Sequence, residues 1–150
     1  MPISIAGSGT ITGISAGGLP DDCITTAEIA ANAVTYAKIG TTEQGQLCKA
    51  WVNFNGTSTV AIRASYNVSS ITDNGTGDYT VNFTTALADA NYAVTGSVKE
   101  FDSTANSFLG FSPAKVTVAS AFTTSSVRVQ PLSTGGSGTD AVVVCVAIFR

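Results

Sequence analysis

From residue 49 onward, apolar and polar positions alternate with a period of two. Val60, Ile62, Ala64, Tyr66 and Val68 put every second side chain on one side, the pattern of a half-buried strand. The pattern breaks at Asp73-Asn74-Gly75-Thr76-Gly77-Asp78, residues that tolerate positive φ, and resumes at Tyr79, Val81 and Phe83, so the spacing predicts a hairpin. The same reading gives strands over 49–55, 59–71, 78–85, 91–100, 114–120, 122–130 and 141–149. Turns bound them at Asn55-Gly56, 73–77, 88–90, 102–106 and 133–140. Short strands at this spacing predict an antiparallel β-sandwich over 46–150. In the last strand Val142, Val144, Val146 and Ile148 face one side and Val143, Cys145, Ala147 and Phe149 the other. A strand apolar on both faces is expected at the centre of a sheet, or between its sheet and a neighbouring subunit. Trp51, inside an alternating strand, is expected in the core.

The first 45 residues follow other periods. Residues 1–20 hold short alternating pieces broken by Gly and closed by Gly17-Gly18-Leu19-Pro20. So small a β or extended segment cannot bury both faces alone, and is expected to dock onto another chain. Residues 24–43 contain a ten-residue repeat, ITTAEIAANA over VTYAKIGTTE. Thr25 and Glu28 have capping-box spacing, the composition is Ala-rich and Gly40 offers a stop, which together predict a short helical stalk over 21–45. Alone in water such a helix is marginal. It persists if parallel copies bury Ile24, Ile29, Val34 and Ile39, which makes these the candidate trimer interface. Their five-residue spacing is not that of a heptad coiled coil, so a helix broken near Asn32 or packed from two faces fits better.

Composition removes several function classes. Charged residues are 11% of the 150-residue chain, against about 25% in an ordinary domain. Net charge is −3 and the seven Lys and Arg are scattered, so no basic stripe exists to neutralise phosphates and nucleic-acid binding is not expected. No apolar run is long enough for a membrane-inserted helix, and the N-terminus lacks the basic and apolar regions of a signal peptide. There is no histidine, which removes the commonest general base and most zinc sites. The three cysteines, Cys23, Cys48 and Cys145, have no metal-like spacing and read as buried thiols, or for Cys23 as a cross-link near a symmetry axis. No metal or cofactor is expected. Asp73, Asn74 and Asp78 lack the glutamate of a calcium loop, since residue 84 is Thr. Glu100 and Asp102 are the one acid pair worth inspecting for glycan hydrolysis, and turn chemistry accounts for the other acids.

The segments AWVNFNGT and VAIRASYNVSSITDNGTGDYTVNFT resemble a stretch recurring in C-terminal domains of tailed-bacteriophage fibre proteins, and the ten-residue repeat is similar to linkers of phage fibre shafts. The resemblance covers residues 24–85. It implies a mainly β virion protein, assembled in the bacterial cytoplasm, with an N-terminal docking segment (1–20), a trimeric stalk (21–45) and a β-sandwich knob (46–150). It further implies a homotrimeric tail fibre subunit that contacts the host surface, with other tail or baseplate proteins as partners of the N-terminus. It brings no catalytic residues. The alternatives are a trimeric capsid or baseplate decoration protein without a receptor role, and a bacterial carbohydrate-binding adhesin module.

Recognition of a host glycan or protein is expected from loops. Residues 100–113 combine Phe101, Phe108 and Phe111 with Asp102 and Asn106, aromatic faces beside polar groups. The competing reading places the three Phe side chains in an inter-strand or inter-subunit core. Ser133–Asp140 is a Gly-rich tip open to a partner. The purified protein should leave host polysaccharide intact. Depolymerisation that Glu100→Gln or Asp102→Asn abolishes would show the opposite.

Overall fold

A computed structural model describes residues 29–99 and 121–150, together with the backbone course of 107–110. Two compact units are present, one ending at Gly40 and the other spanning Thr41–Arg150. The segment 1–20, Ile24 and the Thr25–Glu28 capping box lie outside the described residues, as does the strand expected at 114–120.

In the first unit, residues 29–40 carry no α-helix, so of the helical stalk expected over 21–45 the break near Asn32 is present but the helical turns on either side of it within 29–40 are not. Asn32 sits at φ 64 and the Ala33 N–H donates to Ala30 O at 2.9 Å, closing a turn. A short 3-10 turn follows at Tyr36–Lys38. Positive φ at Asn32 breaks any helical run, and small apolar side chains supply too little packing to hold a helix across it. Gly40 is not a stop either, because the α-helix α1 (Thr41–Gln46) begins directly after it. Within the single chain Ile29 is 43% and Val34 60% exposed, while Ile39 is half-buried.

The second unit is mainly β. Its strands are β1 (Cys48–Asn55), β2 (Ala61–Tyr66), β3 (Val68–Gly75), β4 (Asp78–Phe83), β5 (Ala93–Lys99), β6 (Ser107–Gly110), β7 (Ser126–Ser133) and β8 (Val143–Phe149). They form two four-stranded antiparallel sheets, ordered β2-β1-β8-β5 (sheet A) and β3-β4-β7-β6 (sheet B). The sheets share one core. Val52, Phe54, Val144, Val146 and Ile148 from sheet A meet Tyr79, Val81, Val127 and Val129 from sheet B, all fully or nearly fully buried. Phe54 and Tyr79 meet edge to face across the layers, ring centroids 5.2 Å apart. This arrangement is compatible with the expected sandwich, and β8 is central, between β1 and β5. Its Val144, Val146 and Ile148 point into the core, and Val143, Cys145, Ala147 and Phe149 are half-buried on the other side.

One expected strand, 59–71, is two. Asn67 adopts φ 54, and the chain leaves sheet A as β2 and enters sheet B as β3. Its amide nitrogen donates to Lys49 O at 3.2 Å and to Thr85 O at 3.1 Å, and its amide oxygen accepts from the Thr85 N–H at 2.8 Å. Asn tolerates the left-handed region better than most residues, so the corner is both allowed and pinned. As a result Ile62, Ala64 and Tyr66 do not line the core. All six residues of β2 are exposed, because it is an edge strand of sheet A and the core lies under β1 and β8. The hairpin expected around 73–78 is present, formed by β3 and β4 alone.

That hairpin turn packs backbone against backbone on the 138–140 segment. Gly77 has φ +61, and a Cβ built on it would lie 2.1 Å from Thr139 N. Gly77→Ala should therefore lower unfolding stability by at least about 2 kcal/mol. Gly45→Ala, in α1 with open space around the added methyl, should cost nothing and gain up to about 1 kcal/mol. Denaturant melts of the two variants test the assignment, and equal stabilities would refute it.

Candidate functional site

The two sheets turn very different outer faces outward, and register decides which side chains appear there. Cross-strand partners share a face. On sheet B the rows are Ser70–Asn82–Ser126 and Thr72–Thr80–Arg128. These groups bond to one another. Asn82 Nδ2 donates to Ser70 Oγ at 3.1 Å and Thr72 Oγ1 at 2.9 Å, and Asn74 Nδ2 donates to Thr80 Oγ1 at 2.9 Å. Arg128 Nε donates to Asp78 Oδ1 at 2.7 Å, with its Nη2 on the second carboxylate oxygen. Asp78 in turn holds the Arg128 guanidinium more firmly protonated. This face is a self-satisfied hydroxyl–amide ladder.

On sheet A the rows are Tyr66–Trp51–Ala147–Thr95 and Ala64–Asn53–Cys145–Ser97. Trp51 is therefore not in the core as expected. It pairs with Tyr66 on the outer side of β1 and is 40% exposed, with Tyr66 at 59%. Between the walls formed by β1 and β5, the small side chains of β8 leave a groove of about 470 Å³, lined by Trp51, Asn53, Thr95, Ser97, Cys145 and Ala147. Such a volume falls in the range of small-molecule sites. Arg63, at the bulge of β2, reaches over β1. Its guanidinium donates to Asn53 Oδ1 at 3.3 Å, Asn55 Oδ1 at 3.4 Å and Val142 O at 2.5 Å. The Asn53 carbonyl oxygen is thereby occupied and its amide N–H groups are left to donate. Neither hydroxyl of Thr95 and Ser97 has a hydrogen-bond partner among the described residues.

The receptor candidates stand elsewhere or undescribed. Phe101, Asp102, Asn106 and Phe111 lie outside the described residues, as do the pair Glu100 and Asp102. Phe108 is not in a loop: it belongs to β6, paired with Leu132 of β7, because 107–110 hydrogen-bonds along the edge of sheet B. The tip 133–140 is a turn in which the Ser133 N–H donates to Ser137 O at 2.9 Å. Among the described residues no three His, Cys, Asp or Glu side chains cluster as metal ligands, and no helix is long and apolar enough to cross a membrane. Asp73 accepts from the Gly75 N–H at 2.9 Å as a turn residue. Cys48 and Cys145 are free thiols, half-buried. Compared with known protein families, curated proteins and solved structures, the chain matches none.

The sequence pattern hid the groove for a specific reason. Trp51 and Val52 alternate in a way that either side of β1 could have faced inward, and only pairing with β8 shows that Val52 is the core residue.

The site rests on a fastened end of the molecule. Tyr79, wholly buried, places its hydroxyl 2.7 Å from both Gly56 O and Asp140 Oδ1. Asp140 Oδ1 also accepts from the Gly77 N–H at 2.7 Å. Burial, reinforced by the hydrogen bond and charge of Asp140, pushes this phenol far above the ordinary tyrosine range, and burial pushes Tyr92 up to about 12. Both phenols hold their protons longer in the folded chain than in the unfolded one. Their contribution is complete below pH ~10 and falls as pH rises toward 12, each group removing about 1.4 kcal/mol per pH unit. Thermal melts from pH 9 to 12 should show this decline, and Tyr92→Phe should flatten it. An unchanged slope in that variant would contradict the burial of the phenol.

Proposed function

We propose that the chain is a virion structural protein: a homotrimeric bacteriophage tail fibre subunit that contacts the host cell surface and binds rather than catalyses. The resemblance of residues 24–85 to phage fibre proteins supports the virion context. The observation that carries a contact role is the asymmetry of the outer faces. Sheet B satisfies its own polar groups, whereas sheet A offers an exposed Trp51–Tyr66 pair beside the Thr95 and Ser97 hydroxyls, which have no hydrogen-bond partner among the described residues. Monomeric surfaces seldom expose such patches without a use for them.

In this reading residues 1–20 dock to tail or baseplate proteins and residues 21–45 form the trimeric shaft. Turns such as 30–33 and 36–38 then make the shaft, in place of helical segments. Ile29 and Val34, exposed in the single chain, would be covered by neighbouring copies together with Ile24 and Ile39. The sandwich-like pair of sheets is the distal knob.

Light scattering at micromolar concentration should give a trimeric mass; a monomeric one would remove the fibre reading. Ile29→Asp and Ile39→Asp should each weaken the trimer strongly, because a charge would be buried without a partner. Unchanged trimer mass and melting in both would misplace the interface. The labelled trimer should stain host cells. A protein found on virions that stains none would favour the decoration-protein alternative.

A further inference from the structure

We propose that the sheet A groove binds a neutral hexopyranose unit of a cell-surface glycan, stacked against Trp51 and hydrogen-bonded by Asn53, Thr95 and Ser97. This rests on the host-contacting role proposed above and names its ligand class.

The first argument is shape. Two cross-strand rows, Trp51–Ala147–Thr95 and Asn53–Cys145–Ser97, make a trough whose walls are two strand spacings apart, roughly 9–10 Å. Its floor is small, Ala147 and Cys145, so a flat ring can lie along β8 with one side against the indole. Sugar rings carry an apolar C–H face that suits an aromatic plane, and a Trp side chain offers on the order of 150–250 Å² for burial.

The second argument is polarity, and it separates a sugar from an apolar partner. Thr95 and Ser97 have no hydrogen-bond partner among the described residues. Sheet B supplies the contrast, since Ser70, Thr72 and Thr80 are each bonded to an Asn side chain. An apolar occupant would bury the two free hydroxyls unsatisfied, at about 1–3 kcal/mol each. Ring hydroxyls, which both donate and accept, would satisfy them.

The third argument is pre-set orientation and charge. Arg63 donates to the Asn53 side-chain oxygen, which leaves the amide N–H groups of this groove-lining residue to donate. Among the described residues, no Asp, Glu, Lys or Arg lines the groove, which favours an uncharged ring over an anionic one. Arg63 acts here as a positioning residue through Asn53.

Trp51 is the only tryptophan of the chain, so intrinsic fluorescence reads this groove alone. The full-length protein should be titrated with the methyl glycosides of glucose, galactose, N-acetylglucosamine and rhamnose. At least one should shift Trp51 emission saturably in the millimolar range. Thr95→Val and Ser97→Ala should each weaken that binding about fivefold or more with oligomer mass and melting unchanged. Arg63→Ala should weaken it as well, while Arg63→Lys recovers part of the loss. Before any sugar is added, acrylamide should quench Trp51 in the oligomer.

Three results would overturn the proposal: no saturable shift with any of the four glycosides, a shift untouched by Thr95→Val and Ser97→Ala, or Trp51 shielded from acrylamide. The last would give the groove to a second copy of the chain. Failure here is separable from failure of the fibre reading. A trimer that stains cells but ignores the glycosides sinks only the groove, and a monomer that binds them sinks only the fibre.

Discussion

Asn67 joins two sheets with a single residue. Its left-handed backbone turns the chain from β2 to β3, and its side-chain amide bonds to Lys49 on one sheet and to Thr85 beyond the end of β4 on the other. Without that corner, residues 61–75 would run on as one strand, and Ile62, Ala64 and Tyr66 would compete with Val68 and Ile71 for the core. With it, β2 becomes an edge strand beside β1, and the aromatic pair Trp51–Tyr66 is assembled on the outside. The groove is thus a consequence of where the chain changes sheets.

A second pin closes the opposite end. Tyr79 belongs to sheet B, yet its hydroxyl meets Gly56 after β1 and Asp140 before β8. Gly56 must lack a side chain there, since a Cβ would come within 2.8 Å of the Tyr79 oxygen. Gly77 and the 138–140 backbone approach closely at the same place. Together with the edge-to-face contact of Phe54 and Tyr79, this locks the register of β1 and β8, and hence the two rows that form the groove walls. Core burial supplies most of the driving force, but these directional contacts select one alignment among many that would bury similar area.

The two outer faces differ in how their polar groups are satisfied. With 11% charged residues, the chain cannot rely on ion pairs for a soluble surface. The described ion pairs, Arg128–Asp78 and Arg150–Asp89, are few. The second is well exposed, and such pairs contribute little. Sheet B meets solvent with a mainly neutral ladder of Ser, Thr and Asn that carries the one Arg128–Asp78 pair. Sheet A instead carries the exposed aromatic residues Trp51 and Tyr66 beside the small side chains of β8.

The alternation of Val144, Val146 and Ile148 against Val143, Cys145 and Ala147, the turn at 73–78 and the β-rich class were all legible in the sequence, because period two and positive-φ residues are local properties. The absence of histidine, the commonest general base, was likewise plain from the sequence. Other features depended on distant partners. Trp51 reads as core by alternation and lies outside, since only the pairing of β1 with β8 decides which of its sides is inward. Residues 59–71 read as one strand, since a lone Asn at positive φ carries no pattern of its own. The break near Asn32 was legible from the five-residue spacing, whereas the helical turns expected on either side of it are absent at 29–40, because propensity without packing is too weak to hold a helix together. Thr95, Asn53 and Ser97 are unremarkable in sequence, 42 residues or more separating the β1 groove wall from the β5 wall by number. The sheet order β1-β8-β5 alone makes them neighbours.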